Sequence, residues 1–488
     1  MDFQAPSFNL LPLLPFLILV GSGLVLMLLD LVLPRRAQLI GWLSLVAYLI
    51  ALVQTVGLWG GEWAIFTPRD GLPMLLVDNF SNFLNVIFLL TAALSVLLAV
   101  NYLDRINLQR AEFYYLVMFS VSGMMLMGMA NDLILVFLAL ELLSIPLYVL
   151  SGLASPLAAS EESAMKYFLL GAFSSGFLVF GIAFIYGATA STALPAVLDS
   201  LQSGQALGAA GVALLLVGFA FKVAAAPFHM WTPDVYEGAP TVVTAFMSVG
   251  AKVGGFAAMM RVFISGLPEL GSSWIPAVAA IAALTMIVGN VVALAQQNVK
   301  RMLAYSSIAH AGYIMIAVAS VGSPDAVPAG LFYMMAYLFT NLGAFAVVIA
   351  AEHRQGQGLQ LDDYKGLARR NPLLALALAF FMLSLTGIPP TGGFTGKFFL
   401  FRAAVEADLL WLALVGVVTS VISGYFYLRL VYLSFMYDGE GEVVAPPALN
   451  VVVGVTVLAT LVLGLLPGPW LRAAQQAVLQ GAQLLAGS

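Results

Sequence analysis

The sequence predicts an all-α polytopic membrane protein of about 14 transmembrane helices, and three observations carry that reading. Of its 488 residues, 62% are hydrophobic and 9% are charged, against roughly 25% charged in a soluble domain. The mean hydropathy is +1.00. Too few polar groups are present to coat a soluble globule of this size. About 14 apolar stretches of membrane-crossing length follow one another with short connections. Two of those stretches carry Pro and Gly where an uninterrupted helix should have neither.

In chain order the stretches are 8–33, 37–60, 74–101, 112–130, 132–152, 162–187, 207–230, 239–265, 273–297, 301–320, 327–351, 371–404, 409–437 and 447–468. The first has no basic residue before it and an apolar run too long for a signal-peptide core, so it reads as a retained span. Connections after odd-numbered spans carry Arg35, Arg36, Arg105, Arg110, Lys300, Arg301, Arg354, Lys365, Arg369 and Arg370. Those after even-numbered spans carry little beyond Arg69 and, at a span end, Arg402. The positive-inside rule then puts the odd connections in the cytoplasm and both termini outside, and Asp2 without a nearby cation agrees. The longest cytoplasmic connection, 352–370, reads as a solvated linker with room for a short interfacial helix or a partner contact.

Composition excludes several functions. There is no Cys, hence no disulfide, thiolate metal site or conventional iron–sulfur ligation. Of the three His residues, only His310 lies well inside a span, which argues against a haem-binding cytochrome. A net charge of -5 with scattered cations leaves no nucleic-acid footprint.

The lysines point to function. Five of the six, Lys166, Lys222, Lys252, Lys300 and Lys397, lie in or beside spans, and only Lys365 sits in a loop. Arg keeps its proton almost everywhere, whereas a desolvated Lys can release it. A charge in mid-bilayer costs about 3 kcal/mol on insertion scales, so such residues are functional candidates, proton relays among them. Lys222 follows a nearly unbroken apolar run and is the clearest case. Lys252 continues a polar stripe with Thr244 and Ser248. Lys166 follows Glu162 by four residues, so it is either a helical ion pair or a relay group. Lys300 beside Arg301 is either a topology anchor or a relay group. Glu141, nine residues past Asp132, falls near mid-bilayer, too deep for its short side chain to reach water. It is either a hydrogen-bonded structural group or the titrating partner of a buried Lys.

The two interrupted spans read FKVAAAPFHMWTPDVYEGAPT (221–241) and SLTGIPPTGGFTGKFF (384–399). Such breaks are either packing kinks or the discontinuous helices that mark ion sites in transporters with inverted repeats. Lys222 precedes its break and Lys397 follows its own, the order that inverted topology produces. The expected organisation is an N-terminal three-helix segment (1–111), a first five-helix repeat (112–265), a second (266–437) and a C-terminal helix (438–488). His229, inside the first break, either passes protons or caps the broken helix. Ser306, His310 and Tyr313 share a helix face that is either a relay or interhelical glue.

HMWTPDVYEGAPT, SVGAKVGGF, KRMLAYSSIAHAGY and GIPPTGGFTGKFFLF resemble the antiporter-like subunits of respiratory complex I, the subunit N type in particular. The resemblance runs from about residue 75 to about 435. It implies 14 helices with two inverted five-helix repeats, Glu141 paired with Lys222, Lys252 bridging the halves and Lys397 near the outer exit. Lys166 and Lys300 match positions the family also uses. It further implies a bacterial inner-membrane complex with an antiporter-like subunit M and small K- and J-type subunits as neighbours. NADH, FMN, iron–sulfur clusters and quinone would belong to partner subunits. No Gly-rich dinucleotide fingerprint is present here, and no cofactor is expected in this chain. The competing readings are a subunit of a multi-subunit cation/proton antiporter, an autonomous secondary transporter and a purely structural membrane subunit.

Overall fold

A computed structural model describes residues 9–33, 36–67, 72–200, 206–267, 270–354, 356–477 and 479. Asp2, Arg35 and Arg69, used above for orientation, lie outside the described residues, as does most of the chain after 477. Helices dominate. In chain order they are α1 (Leu14–Val32), α2 (Ala37–Gly57), α3 (Asn79–Arg105), α4 (Glu112–Met129), α5 (Leu133–Ser151), α6 (Ala158–Thr189), α7 (Leu194–Ser200), α8 (Ala206–Lys222), α9 (Trp231–Gly238) and α10 (Thr241–Met260). They continue with α11 (Gly271–Ala293), α12 (Val299–Ala319), α13 (Ala326–Ala351), α14 (Leu367–Arg370), α15 (Pro372–Thr386), α16 (Gly392–Glu406), α17 (Leu410–Met436), α18 (Pro447–Leu465) and α19 (Gly468–Gln476).

Twelve helices among the described residues are long and apolar enough to cross a membrane, and two shorter apolar ones, α8 and α15, end at breaks. The chain is an integral multi-pass membrane protein. The stretch read as 371–404 is divided, α15 stopping at Thr386 and α16 starting at Gly392; in the stretch read as 207–230 the helix α8 stops at Lys222, and α9 follows just beyond it at Trp231. A small hairpin, β1 (Trp63–Ile65) against β2 (Leu75–Val77), was not anticipated; it takes residues 75–77 out of the expected third span.

Helix starts carry the polar residues that satisfy free backbone N–H groups. Asp78 accepts from Ser81 N at 2.8 Å, Asp132 from Ile134 N at 2.8 Å, and Asn298 from Arg301 N at 3.2 Å. Helices α10, α12 and α13 form the centre and are almost wholly buried. The outer helices turn large apolar side chains outward, including Val25, Val53, Phe173 and Val421. Lipid replaces water as the solvent for such a surface.

Candidate functional site

Lys222 is the last residue of α8, and it is buried. The chain leaves the helix through Ala224 at φ 62° and passes Pro227 before α9 begins. The backbone groups freed by the break find partners in neighbouring protein, as membrane depth requires. Trp231 Nε1 donates to Phe221 O at 3.1 Å, and Ala226 N donates to Thr285 Oγ1 at 2.9 Å. Lys222 thus lies in the last turn, at the C-terminal, negative end of a half-helix.

Its hydrogen-bond partner is Ser144 of α5, at 2.7 Å, and it lies 5.8 Å from the Tyr167 ring centroid. Glu141, one turn before Ser144, is half-buried and accepts from Ser175 of α6 at 2.5 Å. Among the described residues Glu141 and Lys222 form no ion pair; Lys222 is held by the Ser144 hydroxyl and Glu141 by the Ser175 hydroxyl. A cavity of about 10 Å³, the size of one water, lies among Ser144, Ser174, Ser175 and Lys222. Along α5, Glu141 shares a face with Leu138 and Ile145, which are 54% and 55% exposed.

Lys252 occupies the centre. Every residue of α10 is buried, and the Lys252 ammonium donates to the backbone oxygen of Ser307 on α12. On the same helix, Ser248 accepts from Asn341 of α13 at 2.6 Å and Thr244 donates to Tyr236 O at 2.9 Å.

From Ser307 a run of polar groups leads on. His310 is buried, with Nδ1 against the Tyr333 hydroxyl and Nε2 at 3.2 Å from the Tyr427 hydroxyl, which also meets Ser306. The His310 and Tyr313 rings are 5.6 Å apart, edge to face. The Tyr313 hydroxyl accepts from Ser420 at 3.0 Å, and Ser420 accepts from Lys397 at 3.0 Å. The Lys397 ammonium also lies 4.3 Å from the Tyr313 ring centroid, a cation–π distance.

Lys397 belongs to α16, yet it closes α15. Its ammonium donates to Leu385 O at 2.9 Å and Thr386 O at 3.1 Å, carbonyls that the second break releases. Gly387 at φ 93° makes the turn, and Thr391 caps the second half-helix. A Cβ on Gly393 would fall 2.0 Å from Ser384 O, so only glycine lets the two halves approach. Beside Lys397 a cavity of about 350 Å³ opens outward between Phe398, Val417, Ser420 and Val421.

The other expected residues sit elsewhere. Lys166 is partly exposed and holds Glu162 and Asp234, both at 2.6 Å. Arg301 holds Asp234 at 2.7 Å and Glu237 at 2.9 Å, so two cations from α6 and α12 grip α9. Lys300 is buried and donates to Ala239 O, just past α9, at 2.6 Å. His229 is half-buried in the first break, and its Nδ1 has no hydrogen-bond partner among the described residues.

Several residues of the site were not singled out from sequence. Ser144 was visible in principle, three residues after Glu141 on one helix face. Ser175, Tyr333, Ser420 and Tyr427 had no local signal; each joins the site through a contact between helices distant in sequence. Arg261, inside an apolar stretch, did carry one. It is buried, donates to both Asp78 oxygens at 2.8 and 3.0 Å, and also binds Gly128 O at 2.6 and 3.0 Å.

Comparison with known proteins gives the family of the chain. Residues 130–423 match the family described as NADH:quinone oxidoreductase/Mrp antiporter, transmembrane. NADH-quinone oxidoreductase subunit N of Chloroflexus aggregans is 48% identical over 95% of this chain and 96% of its own. Subunit N of Trichlorobacter lovleyi is 45% identical over 98% of both. A chain of respiratory complex I from Thermus thermophilus, solved with bound aureothin, superposes with a TM-score of 0.81 at 37% identity, covering 94% of this chain and 98% of that one. The chain thus belongs to the NADH:quinone oxidoreductase/Mrp antiporter family and, within it, to the subunit N family of NADH-quinone oxidoreductase.

Proposed function

We propose that this chain is the antiporter-like subunit N of a bacterial inner-membrane complex I, and that it moves protons along its buried lysines. The observation that carries the reading is the line Lys222, Lys252, Lys397. All three are buried, none is ion-paired among the described residues, and His310, Tyr313 and Ser420 lead from the second to the third. An ammonium group kept in that state at membrane depth has a use.

In this reading Glu141 holds the Lys222 proton across Ser144 and Ser175. A signal from a neighbouring subunit moves or neutralises Glu141, and Lys222 releases its proton. The proton passes Lys252 and the His310–Tyr313 stretch to Lys397 and leaves on the outer side. Lys166 steadies α9, the second half of the broken helix, Lys300 holds the carbonyl of Ala239 just past it, and His229 lies in the break. Both termini face outward. The opposed placement of Lys222 and Lys397 around their breaks supports two inverted five-helix repeats over 112–265 and 266–437. So does the glycine contact shared by equivalent helix pairs, Gly123 against the α5 backbone and Gly289 against the α12 backbone. Quinone reduction in partner subunits drives the cycle, with NADH, FMN and iron–sulfur clusters bound there.

The half-buried Glu141 beside exposed Leu138 and Ile145 favours a multi-subunit setting over an autonomous carrier. A carboxylate on a lipid-facing surface is expensive, and a neighbouring subunit of the K or J type would cover it. Subunit M would lie on another flank. A cation/proton antiporter subunit of the Mrp type shares the fold; the lysine-based line favours protons over a metal cation, which seeks oxygen ligands. The test is Lys252→Ala and Lys397→Ala in assembled complex in inverted vesicles, reading proton uptake against electron transfer. Loss of coupled pumping in both supports the line, and wild-type pumping in both sinks it.

A further inference from the structure

At the end of the bundle that carries the 352–371 connection, a carboxylate is buried that the relay described above does not use. Glu352 terminates α13 and is 1% exposed. Its Oε2 accepts from the Tyr102 hydroxyl of α3 at 2.8 Å and its Oε1 from Gly356 N at 2.9 Å. It forms no ion pair among the described residues. The Tyr102 hydroxyl in turn accepts from Thr241 N, at the first residue of α10, at 3.1 Å. Lys300 and Arg105 are the cations that feel the charge of Glu352, and Tyr102 and Tyr364 are the phenols that face it. Arg105 is committed to the carbonyls of Ile349 and Val444. Lys300 has three donors and uses one, on Ala239 O.

We infer that Glu352 is the proton-uptake carboxylate of the second half of the chain, collecting protons at this end of the bundle and passing them by way of Lys300 to Lys252. The inference rests on the proton-relay reading above and adds a route to it. A buried carboxylate costs free energy that two hydrogen bonds to neutral groups do not recover, and a neutral Gln would serve the Gly356 turn as well. Lys300, buried and with spare donors, holds Ala239 O, two residues before the Thr241 N–H that the Tyr102 hydroxyl accepts. The pair can share one proton: the Glu352 carboxylate binds it, the neutral Lys300 amine takes it, and the carboxylate is restored. Beyond Lys300 the route stays on α12. Ser307 lies seven residues further along the same helix face, and its carbonyl is the acceptor of Lys252. The hydroxyls of Thr241 and Tyr364 around this segment are buried without a hydrogen-bond partner among the described residues. Buried polar atoms of that kind are satisfied by internal water, which is what a proton path needs.

The test uses the assembled complex in inverted vesicles. Glu352→Gln keeps an acceptor for Gly356 N, turns the oxygen facing the Tyr102 hydroxyl into an NH2 that this hydroxyl can accept from, and removes the exchangeable proton. Proton uptake coupled to electron transfer is expected to fall at least about tenfold, while Glu352→Asp recovers part of it with a shifted pH profile. Wild-type pumping in Glu352→Gln together with loss in Lys222→Ala overturns the inference and leaves the relay standing. Wild-type pumping in both overturns both. Where Glu352→Gln does not assemble, Glu352→Asp decides: an unchanged rate and pH profile of coupled turnover overturns the assignment.

Discussion

Lys222 reaches Ser144 at 2.7 Å and does not reach Glu141, which lies one turn earlier on the same helix and is held by Ser175. Each of these two charged groups is thus held by a hydroxyl of its own rather than by the other. An arrangement of that kind responds to small movements of α5 against α6, whereas a direct ion pair between buried charges would have to be broken outright. Ser144→Ala should therefore assemble normally and lower coupled turnover without abolishing it, and Ser144→Thr should restore most of the loss. Proton uptake per electron pair in vesicles checks this; a Ser144→Ala complex with unaltered turnover would show that the hydroxyl has no part in coupling.

The glycines at two helix crossings predict a structural defect. A Cβ at Gly123 would lie 2.3 Å from Leu143 N, and one at Gly289 would lie 2.5 Å from Ala309 N. Backbone atoms cannot step aside as flexible side chains do. Gly123→Ala and Gly289→Ala should each destabilise the subunit by about 1–3 kcal/mol, the usual range for overpacking. Subunit content of membranes and the thermal midpoint of the purified complex measure the effect, and Gly454→Ala, with nothing within 4 Å, is the control.

Arg261 ties the end of α10 to the cap of α3 through both Asp78 oxygens and the Gly128 carbonyl. Arg261→Ala leaves Asp78 and that carbonyl without their partner and should cost about 3–5 kcal/mol. Arg261→Lys cannot reproduce the fork and should fall between the two. Equal stability of all three proteins in a thermal unfolding series would contradict a load on this contact.

Lys166 should behave unlike Lys222. It is one of two cations on Asp234, and it is partly exposed. Lys166→Gln leaves Arg301 in place, and exposed ion pairs contribute only about 0–1 kcal/mol. Assembly and coupled turnover are expected to stay within about twofold of wild type. Arg301→Gln, which frees both Asp234 and Glu237, should be worse. A Lys166→Gln complex that assembles but does not pump would instead make Lys166 a relay group.

Much of this was legible in the chain itself, for physical reasons. Membrane spans announce themselves by length and apolarity, and a charged residue within one stands out because its cost is high. Hence Lys222, Lys252, Lys397 and Glu141 were visible, as were both breaks. What pairs with them was not. Ser175 lies 34 residues from Glu141, Tyr427 lies 117 from His310, and Tyr102 lies 250 from Glu352. Such contacts depend on how helices rotate and slide against one another, and a single sequence carries no local trace of that. The hairpin at 63–77 was missed because its second strand is an apolar run leading directly into a helix, where periodicity does not separate the two.

The central claim is that buried lysines carry the proton, and Lys222 tests it most directly. Inverted vesicles holding assembled complex with Lys222→Ala or Lys365→Ala would be compared for electron transfer and proton uptake. Lys365 lies outside the bundle in an ion pair with Asp362, so its loss should leave both rates unchanged. Lys222→Ala should assemble yet lose pumping or coupled turnover. Pumping by Lys222→Ala at the wild-type rate and stoichiometry would make Lys222 a structural residue and contradict the account.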